Sequence, residues 1–376
     1  MRIELCCALT ALGIGLCGIS PLIAQPKPEP DVLLFTDGER LTGQFVRSSG
    51  TSLTFKSDVL GEINVDWSKV KELQSSVKVA VIPKGVKLRK PSDATTIRQG
   101  TLSVQDQQVH LAAETPGSNA APIPVADAGQ IVDQAGFQKA LEQQPGFFQA
   151  WKGTVTVGAA VVNATQDSES FTGAVSLVRS IPTENWLEPR NRTSLNLAAD
   201  YGEVTQPGTP SIKTAIFHGD AERDEYFKPR LYFFGQGAFD HNFSQGLDLQ
   251  QTYSGGIGIT VIERANETLD LKTSVSYLRQ QFQGAGAPDQ DLIGSIFAEA
   301  FNRKFKRLTF DQHLTFTPAW NNTNAYSAAF NAIFTMPLYK RLNASAGFID
   351  SFLNDPAPGF RKNSAQITFG FTYVLP

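Results

Sequence analysis

Cysteine is nearly missing from this chain of 376 residues: the only copies are Cys6, Cys7 and Cys17. Everything beyond them is therefore without disulfides, cysteine nucleophiles or cysteine metal ligands. Past the N-terminal segment there is also no run of about 18 apolar residues, which excludes a helix that crosses a bilayer. Charge is scarce, at 18% of residues, and the net charge of -3 argues against a bulk nucleic-acid binder. Histidine occurs four times, as His110, His218, His241 and His313. No two of these stand in a metal-binding spacing, so neither zinc nor another metal site is expected. A phosphate-binding glycine loop, a GxSxG elbow and a dinucleotide fingerprint are all absent, and no cofactor is expected. Phenylalanine, by contrast, is abundant, with 26 copies against 8 Tyr and 4 Trp.

Residues 1–24 read as a secretory signal peptide. Arg2 supplies the positive charge, Leu5 to Gly18 is an uncharged and mostly apolar run, and Pro21 breaks the helix ahead of Leu22-Ile23-Ala24. Cleavage is expected after Ala24; an uncleaved anchor is the alternative. Residues 31–112 show short bursts of period-2 alternation. Leu33, Phe45, Phe55, Ile63 and Trp67 point one way, and turn residues recur at Asp37-Gly38 and Ser49-Gly50. This spacing predicts a small antiparallel β domain that folds by itself. Its basic run Lys84, Lys87, Arg89 and Lys90 suits either a solvated face or contact with an anionic envelope polymer. Residues 113–150 read as a linker carrying a short helix, with Asp127 as cap, Gln130 three residues on, and Pro145-Gly146 as the stop.

From Trp151 onward the pattern changes. Leu308, Phe310, Leu314 and Phe316 alternate with Thr309, Asp311, His313 and Thr315. Leu269, Leu271, Val275 and Tyr277 alternate with Asp270, Lys272, Ser274 and Ser276. Ile367, Phe369, Phe371 and Tyr373 alternate with Gln366, Thr368, Gly370 and Thr372. A soluble sandwich and a transmembrane barrel both produce this alternation. Three features favour the barrel: long strands, short connections alternating with long ones, and aromatics near strand ends, Trp151, Tyr226, Tyr277, Trp320 and Tyr373 among them. The fold class expected is all-β, a transmembrane antiparallel barrel of about 12 strands over residues 151–376, preceded by the small β domain. The strands are expected to start near Thr154, Phe171, Thr193, Ile212, Arg230, Leu249, Leu269, Leu292, Leu308, Ala325, Leu342 and Ser364.

Four stretches, LLFTDGERLTG, GEINVDWSKVKEL, WKGTVTVG and DAERDEYFKPRLYFFG, resemble those of the salt-induced outer membrane protein family of Gram-negative bacteria, a domain of unknown function. The resemblance implies an outer-membrane barrel and no established activity. Where the family often carries Gly-Asn after its first barrel strand, this chain has Val162-Asn163-Ala164. It closes on Tyr373-Val374-Leu375-Pro376 in place of the terminal aromatic residue that assembly machinery reads in many such barrels. The partners expected are outer-membrane lipid and the barrel assembly machinery, with the N-terminal domain in the periplasm.

Candidate chemistry is sparse. His218-Gly219-Asp220 and Asp240-His241-Asn242 are the only clusters that suggest a hydrolase assembled from several strands, and each also fits an ordinary lumen or loop position. The densest charge run, Asp220 to Glu225, reads as a solvated turn, or else as a lumen constriction paired by Arg223, Lys228 and Arg230. No catalytic, cofactor-binding or metal residue is assigned. The expectation is a non-enzymatic barrel, structural or a narrow channel; the alternatives are a barrel hydrolase acting on lipid or peptide and a soluble secreted binding protein.

Overall fold

A computed structural model describes residues 30–89, 91–112, 121–142, 145–162, 167–205, 211–283 and 289–375. The expected signal segment with its three cysteines, Lys90, Asn163-Ala164 and the stretch 113–120 lie outside the described residues. The chain forms two compact units, one built from residues up to 84 together with 98–134, the other from 85–97 and everything from 135 onward.

The first unit is an antiparallel sheet of nine strands. In chain order these are β1 (Asp31–Phe35), β2 (Arg40–Ser49), β3 (Ser52–Ser57), β4 (Gly61–Asp66), β5 (Val70–Pro83), β6 (Arg98–Gln105), β7 (Gln108–Ala112), β8 (Ile123–Pro124) and β9 (Ala128–Asp133). Short β1 covers one half of both β2 and β5, and β9 covers the other half of both, so the two lie end to end in one slot of the sheet, whose outer strands are β4 and β8. Between β1 and β9 the ladder has a gap, which the buried carboxylate of Asp31 fills. Its Oδ2 accepts the Phe45 N–H at 2.6 Å and its Oδ1 the Ser76 N–H at 3.1 Å. Two backbone donors that would be costly to bury unpaired are thereby satisfied. Leu33, Phe45, Leu53, Phe55, Trp67, Leu73, Leu102 and Ile131 form the core. Trp67 donates its indole N–H to Ser48 Oγ at 2.8 Å. Asp66 caps the turn that follows, and its hydrogen bonds from Ser68 hold its carboxyl below the ordinary aspartate range.

Two expectations about this region are corrected. Residues 113–150 are not simply a linker, because β8 and β9 belong to the sheet. The helix α1 runs Gln134–Glu142 and does not start at Asp127: Ala128 and Ile131 are core residues, and pairing β9 with both β2 and β5 outweighs a capping box. Residues 85–97 belong to the second unit, where Leu88 pairs with Leu187 and Lys87 meets Glu263 at 2.9 Å.

The second unit holds β10 (Trp151–Val162), β11 (Asp167–Ile181), β12 (Asn191–Thr205), β13 (Ile212–Lys228), β14 (Leu231–Asn242), β15 (Leu247–Arg264), β16 (Glu267–Phe282), β17 (Gln290–Lys304), β18 (Thr309–Pro318), β19 (Tyr326–Tyr339), β20 (Leu342–Leu353) and β21 (Asn363–Val374). Each pairs antiparallel with its neighbours, and β10 pairs with β21, so the twelve close into a barrel. Tight connections follow β13, β15, β17 and β19 at the end that carries the start of β10 and the end of β21, here called the near end. Longer connections occupy the far end. The near end also carries one long connection, residues 182–190 between β11 and β12, which buries Trp186 and Leu187. Phe137 of α1 stacks on Trp186 at 5.3 Å.

A fragment of residues 30–134 is expected to melt cooperatively in circular dichroism. A fragment ending at 112 lacks β8 and β9, leaves the edges of β2 and β5 that β9 covers unpaired, and loses Ile131 from the core. A comparably steep melt for the shorter fragment would contradict a structural role for β9.

Candidate functional site

Strand register sorts the barrel residues into two faces. On β12, Arg192, Ser194, Asn196 and Ala198 stand opposite Asp224, Glu222, Asp220 and His218 of β13. Those in turn stand opposite Phe234, Gln236, Ala238 and Asp240 of β14. All of them face the lumen, because their side chains reach partners on strands that are not their neighbours. Arg192 lies 2.6 Å from Asp224 and 3.0 Å from Asp270 of β16. Lys272 of β16 pairs with Glu222 of β13. Ion pairs therefore cross the interior between strands three and four apart in the ring.

Aromatic rings line the same network. The Arg192 guanidinium lies 5.3 Å from the Tyr232 ring, and the Lys272 ammonium 5.4 Å from that of Phe234. Tyr232 is fully buried and packs against Tyr226 at 4.9 Å. It lies flat over β15 because Gly258 stands opposite it in the ladder; a Cβ there would overlap the ring. Deeper in the lumen, Asp220 accepts from Asn196, and His218 stands between two carboxylates. Its Nδ1 is 2.6 Å from Asp240 Oδ1 and its Nε2 2.9 Å from Asp220 Oδ1. Gln250 extends the chain from Asp240 to Gln280, and His313 shares the interior with Asp311, Lys272 and Asp220. Towards the far end the lining turns apolar: Leu278, Leu292, Ala319 and Ala325 pack together. Gln245 ties the connection after β14 to Ser351 and Lys362 through their carbonyls.

The outward face is of the opposite kind. Between charged ends it reads Ala215, Phe217, Gly219 and Ala221 on β13, flanked by Lys213 and Arg223. On β16 it reads Leu269, Leu271, Thr273, Val275 and Tyr277, flanked by Glu267 and Arg279. Leu197, Phe233, Ile257, Phe297, Leu314, Phe316 and Phe369 are exposed large apolar residues on this face. Gln312 also faces outward, beside Phe301 and Ala332. Glu299 does so between Leu271 and Leu314, and Asp350 between Phe330 and Ala365.

The two histidine clusters meet in part, since His218 faces Asp240. His241 points outward and sits 2.6 Å from the Asp248 carbonyl oxygen. His110 is on β7 in the other unit. The run Asp220 to Glu225 is corrected: it is strand, not a solvated turn. Asp220, Glu222 and Asp224 point inward, and Arg223 and Glu225 pair with each other outside. The inward partners are Arg192 and Lys272, not Arg223, Lys228 and Arg230. Tyr226 is also corrected, from a girdle residue to a lumen residue. In the basic run, Lys87 and Arg89 face Glu263 and Glu188 of their own unit. Sequence reasoning missed Arg192 and Tyr232. Arg192 follows the long connection between β11 and β12, where no alternation leads up to it, and Leu231-Tyr232-Phe233-Phe234 is apolar at every position, which hides the period of two.

Residues 155–375 match the family described as "Protein of unknown function, DUF481", and the chain belongs to that family. No curated protein matches. Among solved structures, the outer membrane channel from Pseudomonas putida F1 is similar at 10% identity and a TM-score of 0.36, over 62% of this chain and 100% of that one. The NanC porin is similar at 7% identity and a TM-score of 0.36, over 59% and 100%. The KdgM porin follows at 8% and 0.31, over 60% and 99%.

Gly258→Ala is expected to push Tyr232 off β15 and to destabilise the barrel by about 1–3 kcal/mol, the usual cost of overpacking. Gly235→Ala, where a Cβ meets open space, should leave the melting temperature nearly unchanged. Equal shifts for both would refute this packing.

Proposed function

We propose that this member of the DUF481 family is an outer-membrane barrel with no enzymatic site, whose narrow acidic lumen conducts small cations. The observation that carries the reading is the outward band. On β13 and β16 it runs ten to twelve residues between charges, which at about 3.3 Å per residue and a tilt of about 40° gives roughly 25–30 Å of apolar height. That matches the hydrocarbon thickness of an outer membrane. Closure of the barrel leaves no strand edge for lipid to desolvate, as a membrane crossing requires.

The lumen supports the second half of the proposal. Asp220, Glu222, Asp224, Asp240, Asp270 and Asp311 outnumber Arg192 and Lys272, and carboxylate-lined pores favour cations. The cross-lumen ion pairs constrict the passage, so the barrel is not a wide diffusion pore. A hydrolase is less well supported. Both ring nitrogens of His218 are already against carboxylates, leaving neither to take a proton from a nucleophile. The N-terminal sheet is proposed to stand in the periplasm, as a first barrel strand that starts at the end with the tight turns suits. The resemblance to salt-induced outer membrane proteins adds osmotic load as the condition in which the barrel acts.

The membrane half is tested by folding into lipid vesicles. Leu314→Arg places a charge in the outward band and should cost about 2–4 kcal/mol if it lies near the midplane. His313→Arg puts the charge among lumen carboxylates and should cost far less. Equal losses would overturn the face assignment. The channel half is tested in planar bilayers. The wild-type protein should show small, cation-preferring currents, and replacing Arg192 and Lys272 together by serine should enlarge both current and preference. Silence from both proteins would refute conduction.

A further inference from the structure

Between α1 and β10 the chain makes a tight loop over residues 145–150 that displays two adjacent phenylalanines. Phe147 is 62% exposed and Phe148 91%. Side chains of this size and polarity are rarely left together in water.

The loop is nevertheless built to hold them there. Arg179 of β11 is opposite Trp151 in the ladder and on the outward face, yet only 7% exposed, because the loop covers it. Its guanidinium donates to the carbonyls of Pro145 at 2.8 Å, Gly146 at 3.2 Å and Gln149 at 3.0 Å. The Trp151 indole N–H donates to the Phe147 carbonyl at 2.8 Å. Gly146 and Gln149 close the loop on each other through Gln149 N–H to the Gly146 carbonyl and Gly146 N–H to Gln149 Oε1. The two phenyl rings meet edge to face at 5.2 Å, and Phe147 also contacts Trp151 at 6.1 Å. The carbonyls of Pro145, Gly146, Phe147 and Gln149 are thus all engaged, and residues 145–151 carry no charge.

We infer that Phe147 and Phe148 form a membrane anchor that inserts into the boundary between headgroups and acyl chains of the leaflet around the near end of the barrel. The inference rests on the transmembrane reading above and names a contact outside the strands. Three observations select lipid as the occupant. The loop adjoins the outward face of β10, where Trp151 leads into the apolar Val155 and Val157, so the exposed rings continue the band beyond the barrel wall. Phenylalanine has no polar tip that would require a partner's hydrogen bond. The loop offers no charge with which a protein partner could pair.

The test uses the full chain with Cys6, Cys7 and Cys17 replaced by serine. Single cysteines at Phe148, Phe316 and His313 are labelled with an environment-sensitive fluorophore, and the protein is folded into phosphatidylethanolamine–phosphatidylglycerol vesicles. Nitroxide lipids quench from the headgroup side or from mid-chain. The label at Phe316, in the outward band, should be quenched, and the label at His313, in the lumen, should not. The label at Phe148 should be quenched most by the shallow nitroxide. Quenching at 316 without quenching at 148 overturns the anchor. No quenching at either overturns the transmembrane reading itself. Independently, Phe147→Ser with Phe148→Ser should slow insertion into vesicles several-fold and leave the melting temperature in detergent unchanged; unchanged insertion counts against the anchor.

Discussion

Closure of the strand ring is the constraint on which the rest of the second unit depends. A sheet with an open edge would present unpaired N–H and C=O groups, and neither lipid nor an apolar core can satisfy them. Once β10 pairs with β21, every strand has two neighbours, and strict alternation divides the side chains between two environments. The outward face becomes a mostly apolar band bounded by charges and interrupted at Glu299, Gln312 and Asp350. The inward face gathers Arg192, Lys272 and the carboxylates into a space small enough for them to meet. Neither face is possible without the other, because both are the same strands read at odd and even positions.

The inner network contributes to specificity more than to net stability. Ion pairs taken out of water recover their desolvation cost only when geometry and further hydrogen bonds are good. Here Asp224 and Asp270 share one guanidinium, and Asp220 and Asp240 share one imidazole. Each partner is fixed by a strand register, so a slipped register would separate charges as well as expose apolar residues. Tyr232 adds a steric lock, since it fits only where β15 carries a glycine.

Much of the architecture was legible in the sequence. Twelve strands were expected and twelve occur, their starts shifted by no more than four residues, as with Phe171 for Asp167. Period-2 patterning suffices for this, because one face is apolar and the other is not. The faces of β18 also follow the expectation: Leu314 and Phe316 outward, Asp311 and His313 inward. What remained hidden was hidden for physical reasons. The alternation fails in Leu231 to Phe234, where inward and outward residues are all aromatic or aliphatic. Arg192 and Asp270 are 78 positions apart in the chain, and nothing local marks them as partners. Strand β9 resembled a helix start because Asp127 and Gln130 have capping spacing, while its true role was set by a distant gap between β2 and β5.

The seam between β10 and β21 also carries a consequence for how the barrel comes to exist. Its ladder runs from Thr154↔Val374 to Val157↔Phe371, whereas that between β10 and β11 spans the whole of β10. The joint that completes the ring is thus short and links segments separated by more than half the chain. Eleven hairpin contacts can form between sequence neighbours as the chain emerges, but an inside and an outside are defined only when the last strand returns to the first. Until that moment the polar residues of the lumen and the apolar residues of the wall face the same solvent. Formation of a lumen is therefore a single late event of high contact order, and it is all-or-none: a chain stopped before β21 has most of its strands and no interior.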